Sequence, residues 1–314
     1  MPGIGLITNP RSRVNMRDPG RARRLGYLIG SHGVAEATKS LDDLYRVSEE
    51  FHKERIDVLG ISGGDGTLHH TLTAMIKSYG DTPLPPVAIL RGGTMNTIAR
   101  SFGILGDSKT LTYELTESQR LGKLHEIPSF EREILQIGDK YGFIFGNGII
   151  YNVLHEYYAT GKPSPMIAAQ LIARAAGSTM FRTALAKRIY KRFRARVVSD
   201  GDRWACEDFI TVAAAVVEQI GLGFKPFRRC NERADAFALL GIHTDAAGFV
   251  AELPRILAGQ PMRRDKVIDR VARVVTFESD EKLEYIIDGD TYVQDGLLTL
   301  RSGPKLRFLR LNVV

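Results

Sequence analysis

An apolar run of strand length, "IDVLGI" (Ile56–Ile61), is followed at once by "SGGDGT", which places three glycines within four residues. Helical spacing then resumes at Leu68, Leu72, Met75 and Ile76. A strand that turns so tightly into a helix belongs to an alternating β/α segment, and the flanking sequence repeats the pattern. "IGLITN" reads as one strand and "PPVAIL" as another, while Leu41, Leu44, Val47 and Phe51 recur at helical spacing. The expected first domain is therefore α/β with a parallel sheet. Ligands of such sheets gather at the carboxyl ends of the strands. The three polar or glycine-rich turns, "TNPRS", "SGGDGT" and "RGGTMN", all fall there.

Glycine permits positive φ and close approach to the backbone. A helix amino terminus adds unpaired N–H groups that favour phosphate. Asp65 is then out of place, because a carboxylate beside a phosphate is repelled unless a cation intervenes or the group accepts a proton. The structural alternative is a tight turn in which Asp65 caps a helix. "RGGTMNTIAR" repeats the arrangement, with Thr94 and Asn96 expected free to hydrogen-bond. The first turn adds Asn9 and Arg11, whose guanidinium can grip phosphate bidentately. Three such loops are expected to face one crevice and to serve phosphoryl transfer from a magnesium nucleotide. There is no Walker sequence, so this is not a P-loop. His69 and His70 point about 100° apart on a helix and cannot chelate one ion as an i, i+4 pair could.

The 314 residues suggest two domains, 1–125 and 126–300, with 301–314 expected to pack back on the first. From Glu126 onward the segments look like short strands joined by turns such as "SDGD", so the second domain is expected to be a mainly antiparallel β-sandwich with an inserted helical region at 166–194. Between Arg174 and Arg203 lie Arg182, Lys187, Arg188, Lys191, Arg192, Arg194 and Arg196, interleaved with Phe181, Ile189, Tyr190 and Phe193. Such a segment suits an anionic membrane surface, or is a solvated helix face. No nucleic-acid motif accompanies it, so nucleic acid is not an expected partner. Cys206 and Cys230 are too few for a disulfide framework. No apolar run is long enough to span a membrane, and the first residues lack the features of a signal peptide, so a cytoplasmic location is expected, peripheral to the inner face of the membrane. Nothing in the sequence bears on oligomeric state.

"GGDGT" at Gly63–Thr67, with G-T-x-N at Gly93–Asn96 and "NPRS" at Asn9–Ser12, resembles the diacylglycerol-kinase-like lipid kinases. "ATKS" at Ala37–Ser40 resembles the threonine segment before that family's first long helix, and "FGNGIIYNV", "GLGFKPF" and "IIDGD" at Ile286–Asp290 resemble its later segments in the same order. The resemblance implies ATP- and Mg²⁺-dependent phosphorylation of a lipid hydroxyl, most naturally of diacylglycerol or a related lipid. It implies nucleotide contacts from Asn9, Pro10, Arg11, Ser12, Thr38, Gly63, Gly64, Gly66, Thr67, Gly93, Thr94, Asn96, Gly289 and Asp290. Asp65 and Asp288 are the carboxylates it places near the transferred phosphate, and either can serve as the general base; a carboxylate beside magnesium has its pKa held low, which favours Asp65 on the metal and Asp288 on the hydroxyl. The chain departs from the family at His70 and Thr97, where acidic residues are usual, at Asp290 in place of a glutamate, and at Arg13 in place of a glycine. NAD kinases share the first motif and are the soluble-substrate alternative; a nucleotide- or lipid-binding homologue without catalysis is the other.

Overall fold

A computed structural model describes residues 3–161, 164–178, 183–263, 265 and 267–311. The chain divides into two compact units: 1–132 with 305–314, and 133–304. The change of texture at residue 126 thus precedes the division by several residues, because β5 runs on through it.

In the first unit the elements are β1 (Ile4–Thr8), α1 (Arg13–Arg17), α2 (Arg21–Ile29), β2 (Gly33–Ala37), α3 (Leu41–Glu54), β3 (Val58–Ser62), α4 (Asp65–Tyr79), β4 (Val87–Ile89), α5 (Thr97–Ser101) and α6 (Ser108–Arg120). The sheet order is β2-β1-β3-β4, all parallel. Every residue of β1, β3 and β4 is buried, as expected of strands covered on both faces by helices. The helices supply Leu44, Val47, Phe51, Leu72, Met75, Leu111 and Leu115 to this core, each stabilising the fold by roughly 1.5–3 kcal/mol. Ser40 caps α3 by accepting from the Asp43 N–H, and Asp42 and Asp43 complement its dipole. Phe308, near the end of the chain, pairs in parallel with Val87 and packs between Phe102 and Phe130.

The second unit takes up β5 (Ser129–Ile137), which begins in the first, and continues with β6 (Lys140–Gly142), β7 (Ile144–Asn147), α7 (Ile149–Ala159), α8 (Pro165–Ser178), α9 (Ala184–Ile189), β8 (Phe193–Arg194), β9 (Arg196–Ser199), β10 (Asp202–Arg203), β11 (Asp208–Phe209), β12 (Thr211–Ala215), β13 (Phe237–Ile242), α10 (Ala246–Leu257), β14 (Val267–Ala272), β15 (Val274–Ile287) and β16 (Asp290–Leu309). Its ladders are antiparallel, in the order β14-β13-β12-β7-β15, with β9 and β16 also on β15. Three hairpins turn in two residues. Asp200-Gly201 and Asp288-Gly289 both have positive φ at each position, the type I′ geometry that matches strand twist. Gly138-Asp139 makes the third. The helical content exceeds the expected insert at 166–194. "GIIYNV" forms the start of α7 rather than a strand, and α10 follows β13. Helices α7, α8 and α9 pack around Ile149, Leu171, Ala175 and Ile189. Among the described residues no helix is long and apolar enough to cross a membrane.

Candidate active site

The three turns of the first unit meet through their backbones. The Asn9 N–H donates to the Ser62 carbonyl at 3.1 Å, and the Gly92 N–H to the Gly63 carbonyl at 2.7 Å. Ser12 Oγ closes the triangle by donating to the Gly92 carbonyl at 3.1 Å. Asn9 Nδ2 donates to Thr67 Oγ1 at 2.9 Å, so the first turn also reaches into the opening of α4. Asn9 Oδ1 holds its own turn through the Arg11 N–H. The Arg11 side chain is left exposed, and Thr38 is buried, its N–H donating to the Thr8 carbonyl.

The glycines serve closeness rather than conformation. None of Gly63, Gly64, Gly66, Gly92 or Gly93 has positive φ; in these loops that role falls to Arg91 and Asn96. A Cβ on Gly93 would lie 2.4 Å from the Gly64 Cα, and one on Gly92 2.7 Å from the Gly63 nitrogen. One on Gly63 would strike the Thr67 side chain at 2.4 Å. Two backbones therefore lie against each other where no side chain fits between them.

Asn96 is not free, contrary to expectation. Its Oδ1 accepts from the Gly93 N–H at 2.9 Å and its Nδ2 donates to the Gly93 carbonyl at 2.7 Å, closing the third loop on itself. Thr94 is half-buried, and its hydroxyl meets no hydrogen-bond partner among the described residues. Two supports have no signal in the glycine motifs: Asn15 Nδ2 donates to the Asn9 carbonyl, and Ser108 Oγ donates to the Leu90 and Arg91 carbonyls.

Asp65 opens α4 but caps the next helix instead of its own. Its Oδ2 accepts from the Thr97 N–H at 2.9 Å and its Oδ1 from the Ile98 N–H at 3.1 Å. Desolvation by its surroundings pushes its carboxyl up from the ordinary aspartate value, while these N–H donors and the Arg100 charge pull the other way. Thr97, standing where the family usually has a carboxylate, is itself a partner of Asp65. The N–H groups of Gly64, Asp65, Gly66 and Thr67, at the amino terminus of α4, find no acceptor among the described residues. These are the orphan donors of a helix start, at its positive end. His69 is buried and His70 half-buried on the same helix, their rings 4.6 Å apart.

That loop pair, GGDGT and G-T-x-N joined by backbone bonds at parallel strand ends, lies wholly inside the segment 4–125, which matches the diacylglycerol kinase catalytic domain family. The likeness to that family runs from β1 through α6 of the first unit. Over 260 residues it is 24% identical to the "Putative lipid kinase" of Streptococcus pneumoniae serotype 4 (strain ATCC BAA-334 / TIGR4), covering 81% of this chain and 78% of that one. Two Bacillus anthracis str. Sterne crystal structures share the fold at 14% identity. A diacylglycerol kinase covers 99% of this chain and 97% of its own with a TM-score of 0.65. A "putative diacylglycerol kinase" gives the same coverage and a TM-score of 0.70.

The second-unit residues singled out by the resemblance, Asp288, Gly289 and Asp290, sit at the hairpin between β15 and β16. Asp288 is 7% exposed with φ 49°. Its carboxylate accepts from the Phe143 N–H at 3.0 Å and the Ile144 N–H at 2.8 Å. The Gly289 carbonyl accepts from the Tyr158 hydroxyl at 3.2 Å, and Asp290 opens β16 opposite Ile287. The D-G-D motif of the kinase resemblance is thus also a type I′ turn with its own capping carboxylate.

Proposed function

We propose that the chain transfers the γ-phosphate of ATP to a lipid hydroxyl, most naturally that of diacylglycerol or a related lipid. The observation that carries this reading is the run of open N–H groups from Gly64 to Thr67, held against the Arg91–Asn96 loop by backbone contacts too close for any side chain. A helix start with open donors takes phosphate oxygens, and charge neutralisation supplies most of the rate in phosphoryl transfer. Arg11 adds an exposed guanidinium, and the Thr94 hydroxyl a free donor. The catalytic-domain match and the lipid-kinase relative support the same reading.

Mg²⁺ demands oxygen ligands and keeps several waters, usually taking one or two carboxylates besides the phosphates. Asp65 is the one carboxylate in the three loops. Each of its oxygens accepts one N–H and the carboxylate also accepts from the Thr97 side chain, which leaves one lone pair open, so it fits a cation held chiefly by phosphate and water. When bound, the ion would neutralise charge on the phosphates. Asp288, buried and fixed by two backbone donors, is proposed to receive the proton of the acceptor hydroxyl.

The commitment of both Asp65 oxygens to α5 favours one other reading, a homologue that binds nucleotide without turning it over. Incubation with γ-labelled ATP, Mg²⁺ and a panel of lipid alcohols in mixed micelles, with NAD as the soluble control, separates the readings. Label on a lipid is expected. Label on NAD alone, or tight ATP binding with no labelled product, overturns the proposal.

A further inference from the structure

The positive charge of this chain is concentrated in one stretch. Residues 157–199 hold nine of its 43 lysines and arginines and none of its 36 acidic residues, so without them the formal charge of +7 becomes −2. The structure sorts these cations. Arg188 forks onto Glu156 at 2.5 and 3.0 Å. Arg192 donates to the Asp208 carboxylate at 2.9 Å and to the Asp208, His243 and Thr244 carbonyls. Arg196 pairs with Glu278 at 3.4 Å. Arg174, Lys187, Lys191 and Arg194 are exposed and meet no acid among the described residues. Lys162, Phe181 and Arg182 lie outside those residues.

Helix α8 belongs to the same stretch and carries one charge in 14 residues, Arg174. It buries Ala168, Leu171, Ala175 and Ser178. Its other side exposes Met166, at 71%, with Ala169, Gln170, Ala173 and Gly177. Gln170 and Arg174 are the polar side chains on the exposed side of α8, and the rest of that side is apolar or glycine, the character of a helix lying at a lipid interface. Tyr158, at the end of α7, is also exposed, at 49%.

We propose that the α7–α9 layer of the second unit docks on an anionic bilayer. Met166 and the outer side of α8 enter the headgroup region, and Arg174, Lys187, Lys191 and Arg194 meet lipid phosphates. The mostly apolar exposed side of α8, with Arg174 its one charge, favours lipid over nucleic acid, whose backbone offers nothing to an apolar helix face. This names the surface on which the proposed lipid kinase meets its substrate, and so rests on that reading. The binding itself is measurable without nucleotide.

The test is co-sedimentation of the full chain with phosphatidylcholine vesicles, with and without phosphatidylglycerol. Wild type is expected on the mixed vesicles. Lys187→Gln, Lys191→Gln and Arg194→Gln together should weaken binding on the order of a hundredfold at low salt, about fivefold per charge, with the gap closing as salt rises. Met166→Glu should weaken it with every cation in place. Arg17→Gln, Lys53→Gln and Lys109→Gln together remove the same charge from the first unit and should leave it nearly unchanged; circular dichroism confirms folding of each variant. Equal losses in the two triple variants, an unaffected docking variant, or binding to duplex RNA but not to vesicles would overturn the proposal. Variant-sensitive vesicle binding by a chain that labels no lipid would uphold this surface and sink only the kinase reading.

Discussion

Asp65 joins two duties that substitution can separate. Asparagine in its place keeps one acceptor for α5 and turns a donor toward the other N–H, losing one capping bond of about 1 kcal/mol. The same change removes the cost of burying a charge. Asp65→Asn should therefore melt within a few degrees of wild type yet transfer no phosphate to lipid. Retained transfer would show that the carboxylate is only a brace. Acid titration offers a second check. Burial holds the Asp65 pKa above its ordinary 3.8, so as pH rises from that value the folded chain keeps a proton that the unfolded chain has released. Its contribution to native stability falls through that window and is level above the raised value. Denaturant midpoints of Asp65→Asn should thus gain on wild type as pH climbs through the window and run parallel beyond it. At Asn96, alanine loses both loop-closing bonds and must hold φ 47° without them. A loss of about 1–3 kcal/mol is expected in equilibrium unfolding, with Asn96→Gly recovering the conformational part alone.

The loops between elements are where glycine matters, and two glycines in contact predict unequal outcomes. A Cβ on Gly93 would sit 2.4 Å from backbone, whereas one on Gly64 would be an ordinary 3.4 Å from the Gly93 Cα. Gly93→Ala should cost about 1–3 kcal/mol by forcing the second and third loops apart, and should weaken nucleotide binding in calorimetry. Gly64→Ala should do neither to a comparable degree. The buried strands β1, β3 and β4 were legible as unbroken apolar runs, and so were the turns at their carboxyl ends. Strand β2 was not, because "GVAEA" is a half-exposed edge with little β-branched character. Helix α2 hides its two buried residues, Leu25 and Ile29, among four arginine and glycine positions. In α7 the run "IIYNV" has the composition of a strand, and tertiary packing on α8 and α9 decides otherwise. The glycine motif announced a crowded turn; that the crowding is between backbones, and that Asp65 spans to α5, depends on contacts 29 or more residues apart that no local pattern encodes.

At the scale of the whole chain, each unit supplies one carboxylate of the lipid-kinase resemblance, and each carboxylate is also a structural cap. The sequence showed the motifs but not this double use, since capping partners such as Phe143 and Ile144 for Asp288 lie some 144 residues away. The cationic stretch shows the same mixture: Arg192, read there as one of a solvated row, is a half-buried anchor whose loss would act through folding. What unites these features is the proposal that the first unit cradles phosphate at the start of α4. Hydrogen exchange of the full chain with and without ATP and Mg²⁺ tests this most directly. Slowed exchange at Gly64–Thr67 and in the Arg91–Asn96 loop is predicted, absent in Gly93→Ala. Protection confined to other segments, with these amides unchanged at saturating ATP, would contradict it.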